Sequence, residues 1–332
     1  MDWDNLIRQY GRKEGNDIVR LFIRSQMIEF LPPRIAGLVS LRTLALEFNQ
    51  LGELPSEIGQ LTRLTTLSIY ANRLETLPVE IGQLSALTAL SVYNNRLHIL
   101  PLEIGQLSNL TKLNVRRNQL RTIPLEIGQL SALTKLDVSG NQLQHLPPEI
   151  GSLISLTELC AGGNRLQALP QSINKLTSLR RLKLSHNQIQ SLSPAIFQLT
   201  SLIDLRLSYN QLETLLPEIG QLVKLRELLI SHNRFDNLPT GISKLPALSN
   251  LFLSSNRISS LPPIVPRCDV IGIAKEQTES AHQHWKKRAT VVLTYAVCWT
   301  RKRNEGERKQ LSTLPLLVTR QMIHLLFEGS YE

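Results

Sequence analysis

The amino-acid sequence predicts an α/β solenoid of about eleven 23-residue coils, whose short strands stack side by side into one curved parallel sheet. Three observations carry that expectation. Asparagine recurs at positions 49, 72, 95, 118, 141, 164, 187, 210, 233 and 256, and every interval is 23. The same frame, L-x-x-L-x-L-x-x-N-x-L-x-x-L-P-x-x-I-x-x-L, surrounds these positions. One clean copy runs from Leu41 through Leu44, Leu46, Asn49, Leu51, Leu54, Pro55 and Ile58 to Leu61. Finally, the chain is 42% hydrophobic but only 5% aromatic, so aliphatic side chains must build its interior.

Each element has a physical reason. At the start, Trp3, Leu6, Ile7 and Tyr10 fall at helical spacing, which assigns residues 1–17 to a helical cap over the first coil. Stepping back 23 from Asn49 reaches Gln26, and the apolar frame still holds there (Ile18, Leu21, Ile23, Ile28), so the repeat domain spans 18–268. In L-x-x-L-x-L the leucines of a short strand point inward and the residues between them face solvent. The Asn sits where the chain leaves the strand. Its amide can satisfy backbone groups of the turn, and it tolerates unusual backbone angles. Leu-Pro sets an extended segment on the convex side, where no ladder donor is needed. In x-E-I-G-Q-L, the glycines at 59, 82, 105, 128, 151 and 220 suit a left-handed backbone, and Asn174 takes the slot once. After Val265 the pattern dissolves, and Cys268 takes the last leucine slot. No single coil can bury its own leucine face, so stacking supplies the core.

These LPxEIGQL coils resemble the intracellular, Ras-group type of leucine-rich repeat protein over about residues 18–268. The resemblance implies a right-handed horseshoe with helical caps, and a binding surface rather than chemistry. In such solenoids the outward strand positions form the docking face. Two clusters of them stand out. Phe48, Tyr70 and Tyr93 make an aromatic stripe that runs into Lys112, Arg116 and Arg117. Further along, Arg181, Lys183, His186, Arg206, Tyr209 and His232 make a second patch, with a Ser/Gly stretch from Ser139 to Gly163 between the two. Tyr and Arg are interface anchors because they combine large contact area with hydrogen-bonding ends. The bland alternative for both clusters is a solvated sheet face with scattered charges.

Charge and cysteine content narrow the setting. The formal net charge is +10, from 37 Lys+Arg against 27 Asp+Glu, and it is spread along the chain rather than gathered into a basic arm. That favours acidic protein partners at least as much as nucleic acid, for which no recognition helix, finger or stacking-sheet motif is present. Three cysteines cannot staple an extracellular module. With a polar N-terminus and no apolar run near the ~20 residues a span needs, the expectation is a cytoplasmic protein without a transmembrane segment.

Residues 269–332 leave the frame. They hold an apolar stretch, Ala289 to Trp299, between Lys286-Lys287-Arg288 and Arg301-Lys302-Arg303. Leu314, Pro315, Val318, Met322, Ile323 and Leu326 then mark an amphipathic helix opened by Leu-Pro. This tail resembles the F-box and suppressor-of-cytokine-signalling box of cullin-type ubiquitin ligase receptors, helices whose apolar face an adaptor completes. The resemblance implies that those six residues contact an adaptor. A cap folded on the last coil and a helix lying on a membrane surface stay open beside it.

No phosphate loop, nucleophile elbow or HExxH is present. Cys268, His282, His284 and Cys298 lack the close cysteine pair of structural zinc sites, and Cys160 has no histidine near it in sequence. The expectation is therefore a non-enzymatic interaction module without cofactor or metal. It would capture a protein on its concave face and present it to a ubiquitin ligase through the tail. The alternative is a scaffold in small-GTPase signalling whose tail is only a cap.

Overall fold

In the computed structural model, the structure describes residues 3–259, 262 and 268–271. The chain divides into units of residues 1–273 and 274–332, and every described residue belongs to the first. The tail positions Leu314, Pro315, Val318, Met322, Ile323 and Leu326 lie outside the described residues, as do His282, His284 and Cys298.

A short helix, α1 (Trp3–Tyr10), opens the chain and buries Trp3 and Leu6. The remainder of the expected helical cap is a hairpin: β1 (Gly11–Glu14) pairs antiparallel with β2 (Asp17–Phe22). The charged strand Gly-Arg-Lys-Glu blunts the sheet edge that would otherwise template pairing with another chain. The solenoid strands follow: β3 (Thr43–Ala45), β4 (Thr66–Ser68), β5 (Ala89–Ser91), β6 (Lys112–Asn114), β7 (Lys135–Asp137), β8 (Glu158–Cys160), β9 (Arg181–Lys183), β10 (Asp204–Arg206), β11 (Glu227–Leu229), β12 (Asn250–Phe252) and β13 (Asp269–Ile271). All thirteen lie in one sheet in chain order, and from β2 onward every neighbour is parallel. Paired residues sit 23 apart, as Leu44 opposite Leu67, until the last step, where Asn250 pairs with Asp269, only 19 further on.

That short step corrects the reading of Cys268. It is not the closing leucine slot of the eleventh coil. The final coil is four residues shorter than its predecessors (23 minus 19), so Cys268 leads directly into a twelfth rung, where it is buried.

The convex side is built from tight 3₁₀ turns such as Ser56–Gln60, Val79–Gln83 and Leu102–Gln106. Each of these follows a proline with φ between −69° and −65°, an angle the pyrrolidine ring supplies without further cost. Ser193 and Leu216 replace the proline in two successive coils, and Ser193 compensates by accepting a hydrogen bond from the Ala195 N–H. Between sheet and turns the leucine, isoleucine and valine frame is buried from Leu21 to Leu251, apart from half-buried positions such as Leu38 and Leu169.

The asparagines form the ladder the sequence predicts. Asn72 Nδ2 donates to Leu46 O of the preceding coil at 2.9 Å and to Ile69 O of its own at 3.1 Å, while Oδ1 accepts from the Leu51 N–H at 3.0 Å. The same set recurs at Asn118 and Asn210. Each amide thus closes its own turn and ties it to the previous one, which satisfies backbone groups that would otherwise be buried unpaired. A second ladder joins it: Thr65, Thr88, Thr111, Thr134 and Thr157 each donate a hydroxyl to the carbonyl 23 residues earlier.

Two backbone expectations are corrected. The left-handed residue of each turn is the one before the Asn: Phe48, Ala71, Asn94, Arg117, His186, Tyr209 and His232 have φ from +52° to +57°, and Gly140 and Gly163 have +64° and +63°. The convex glycines are not left-handed. They are glycines for want of space, because a Cβ on Gly59 or Gly82 would stand 2.7 Å from the carbonyl oxygen of Glu80 or Glu103 in the next turn.

Candidate concave binding face

Four outward positions per coil face the concave side: two on the strand and two in the turn that follows. The turn positions carry the aromatic residues. Phe48 meets Tyr70 edge-on, with ring centroids 5.1 Å apart and an interplanar angle of 81°. Tyr70 lies flat on Tyr93 at 4.3 Å and 11°. The solenoid brings these three rings together although 22 or 23 residues separate them, because strand spacing is close to the stacking distance of aromatic rings. Phe48 is 55% exposed, an unusual state for so large an apolar side chain. Burial and the neighbouring Tyr70 push the Tyr93 phenol above its ordinary range, while the Arg116 charge pulls the other way. Lys112 on β6, with Arg116 and Arg117 in the turn after it, continues the stripe onto the next rung, as the sequence predicts.

The second patch also assembles, but its electrostatics differ from a basic patch. His186, Tyr209 and His232 stack at 4.1 and 4.0 Å, with interplanar angles of 11° and 9°. Its cations are matched by carboxylates from the same face. Glu158 accepts a 2.9 Å hydrogen bond from Lys183 Nζ and lies 3.6 Å from Arg181 and 3.7 Å from Lys135. Arg206 pairs with Asp204 at 3.0 Å and Glu227 at 3.6 Å. Burial works to raise the Glu158 carboxyl, but Lys183, Arg181 and Lys135 outweigh it and hold the group below the usual carboxylate range. Burial likewise opposes the charge on Lys183, and Glu158 outweighs it, so the ammonium titrates above its ordinary value. Sequence reasoning placed Arg181, Lys183 and Arg206 together but passed over Glu158, although 158 occupies the same outward column as Arg181 and Asp204.

Between the patches lies a low saddle of Ser139, Gly140, Gly162 and Gly163. Arg117 leans across it: its Cγ is 3.3 Å from where a Cβ on Gly140 would stand. Cys160 is buried at the saddle floor, and burial pushes its thiol up to about 12, which leaves no thiolate for attack at neutral pH. Among the described residues no group of His, Cys, Asp and Glu could hold a metal ion, and no helix is long and apolar enough to cross a membrane.

One feature escaped sequence reasoning. Val79, Leu102 and Leu125 open three successive convex turns and are 53%, 56% and 57% exposed. The signal was present, as a slot that holds Ser56 one coil earlier and Gln171 two coils beyond Leu125.

A continuous parallel sheet, an asparagine ladder and a broad outward face define a repeat protein of the interaction class. The chain belongs to the leucine-rich repeat family. The profile described as "Leucine-rich repeat region" matches residues 32–119 and 103–206, which together span 175 of the 332 residues, and "Leucine Rich Repeat" matches 224–245. No curated protein matches the chain. Among solved structures it is similar to a Leptospira interrogans LRR protein, with 33% identity over 76% of this chain and 83% of that one and a TM-score of 0.45. It is also similar to the plant peptide hormone receptor RGFR1 in complex with RGF2, with 30% identity, 74% and 44% coverage and a TM-score of 0.60. The functional domain of InlJ from Listeria monocytogenes shares 25% identity, with 76% and 52% coverage and a TM-score of 0.66. The chain therefore spans about half the length of the latter two. Leucine-rich repeat folds serve protein–protein interaction, and neither matching profile describes a catalytic family.

Proposed function

We propose that this protein captures a protein or peptide segment on its concave face, centred on β3 to β6. One observation carries the reading: Phe48, Tyr70 and Tyr93 are aligned by the fold into a single stripe of contacting rings that leads into Lys112, Arg116 and Arg117. Rigid aromatic anchors on a preformed sheet bind with little loss of conformational freedom. The similarity to RGFR1, whose structure holds RGF2, supports a peptide-sized partner.

The experiment is selection of a phage-displayed random peptide library on the immobilised full chain. Selected peptides should lose most of their binding to a Tyr70→Ala, Tyr93→Ala double variant whose urea unfolding midpoint shifts little, because both rings stand on the outside of the sheet. Peptides that bind the double variant as well as the parent would overturn the concave reading.

The sharper form of the proposal is that the tail passes the captured partner to a ubiquitin ligase adaptor. It rests on the sequence of Leu314, Pro315, Val318, Met322, Ile323 and Leu326 alone. The alternative role, a small-GTPase scaffold in the cytoplasm, rests on the Ras-group resemblance of the repeats. Deleting 286–332 separates them: loss of a co-purifying Skp- or elongin-type adaptor from a still-folded solenoid supports the ligase role, and unfolding supports a cap.

A further inference from the structure

We propose that the aromatic–cationic stripe on the concave face selects an acidic, extended peptide segment that carries one apolar side chain. The inference rests on the concave-face reading above and adds the chemistry of the partner.

The first argument is charge. Over β4, β5, β6 and the turns after them there are twelve outward positions (four in each of three coils), and they hold three cations and no carboxylate. The carboxylates that border this field are already engaged. Glu47 is 3% exposed and accepts from Arg24 at 2.7 Å. On the far side, Asp137 accepts from the Ser139 N–H at 2.9 Å. From β8 to β11, by contrast, the strand positions hold Glu158, Arg181, Lys183, Asp204, Arg206 and Glu227, three charges of each sign, in mutual contact. A charged segment approaching the concave face therefore meets a net positive field at β4–β6 and a self-neutralised one at β8–β11. Complementary potential of this kind steers encounter and rejects partners of the wrong sign.

The second argument is which part of the rings is offered. Tyr70 is flanked by Phe48, which it meets at 81°, and by Tyr93, on which it stacks at 11°. Held between these two neighbours, Tyr70 meets a ligand with its ring edge and hydroxyl group. Ring edges are the positive side of the aromatic quadrupole. They suit carboxylates rather than cations. Phe48, exposed at the far end of the stripe, supplies the contact for one apolar side chain.

The third argument is room. Gly140 lets the Arg117 stem lie across the next rung, toward a saddle with no side chain taller than serine in its turn positions. Three strand spacings, from β4 to the saddle, span about 14 Å, which an extended segment of roughly four residues crosses.

The test uses the same peptide selection on the full chain, with the enriched pool sequenced and its members measured by fluorescence anisotropy. The expected pool is rich in Asp and Glu with one Phe, Tyr or Leu. Affinity should fall on the order of tenfold in a Lys112→Gln, Arg117→Gln variant and with rising salt, and by less than about twofold in Arg181→Gln. Lys112, Arg117 and Arg181 are all exposed, so these variants fold. A pool that needs Tyr70 and Tyr93 but is neutral or basic would sink this inference and leave the concave reading standing. So would a loss in Arg181→Gln equal to that in the double variant. A uridine oligoribonucleotide that binds through Lys112 and Arg117 as tightly as the selected peptides would show a nucleic-acid surface and overturn the proposal.

Discussion

The two patches of the concave face, β3–β6 and β8–β11, stand on identical scaffolding and carry nearly the same residue types, yet they differ in the balance of charge among their outward positions. Both hold three rings in a row, edge-on then stacked in the first and stacked throughout in the second, and both hold three cations among the residues first singled out. In the second patch Glu158 and Glu227 on the adjacent strands, and Asp204 on the strand of Arg206 itself, take up the cations. In the first, the flanking carboxylates Glu47 and Asp137 are engaged at the borders of the field. A binding face in a solenoid is thus set by the column a residue occupies and by the neighbouring coils in that column, more than by the local count of charges.

The largest effect tests that the scaffolding is indifferent to what it displays. Asn118→Ala, below the first patch, removes donors to Val92 O, Val115 O and Arg116 O and an acceptor for the Leu97 N–H. Asn210→Ala, below the second, removes the equivalent set from Leu184 O, Leu207 O, Ser208 O and the Ile189 N–H. Each buried group left without a partner costs about 1–3 kcal/mol, so both variants should lose roughly 3–4 kcal/mol. Urea unfolding measures it. Losses that differ by more than about 1 kcal/mol between the two sites would show that the faces contribute to holding the coils together.

The next effect acts on the second patch alone. Glu158→Gln keeps the shape but removes the charge on which Lys135, Arg181 and Lys183 converge. Loss of the part-buried pair, discounted for solvent on its partners, should cost on the order of 1 kcal/mol. Linkage gives the pH dependence a definite sign. The Glu158 carboxyl titrates below its ordinary value in the folded state, so its contribution is present above about pH 4.5 and is lost as pH falls through the folded-state value. Lys183 titrates above its ordinary value, so its contribution is present below about pH 10.5 and is lost as pH rises further. Glu158→Gln should therefore lose least, relative to the parent, in acid. It should also give the second patch a net positive field and some affinity for acidic peptides that the parent lacks there.

Much of this was legible in the sequence because a repeat amplifies its own signal. Ten asparagines at one interval disclose the sheet, its register and the buried ladder, and the outward columns follow by counting. What was not legible depends on the third dimension. The left-handed corner falls on Phe48, Arg117 or His232, residue types that carry no turn signal of their own; the fixed position before the Asn imposes it. The convex glycines were assigned the right need with the wrong cause, since crowding by the next coil's carbonyl appears only once coils are stacked. Glu158 was missed because charges were read along each strand, whereas its partners lie across strands, at Lys135 and Arg181. Cys268 was misplaced because a four-residue deletion in a dissolving repeat leaves no mark in the pattern.

The smallest effect asks whether the saddle between the patches helps to aim the first one. Gly140→Ala puts a Cβ 3.3 Å from Arg117 Cγ and 3.4 Å from the Arg117 N, at a residue with φ of +64°. The left-handed backbone is not itself prohibitive, because Ala71 adopts φ of +56° at the same corner three coils earlier. It costs alanine about 1 kcal/mol, and the loss of glycine's freedom in the unfolded chain returns a similar amount. Stability should therefore change by less than about 1 kcal/mol. The stem of Arg117, however, must lift away from the saddle. If the acidic segment is held where that stem now points, its dissociation should quicken two- to threefold, on the order of half a kcal/mol, with the salt dependence of binding preserved. Unchanged dissociation in a variant with the parent's unfolding midpoint would confine the contact to Lys112, Arg116 and the tyrosines, and would make the glycines of the saddle a packing feature of the solenoid with no part in recognition.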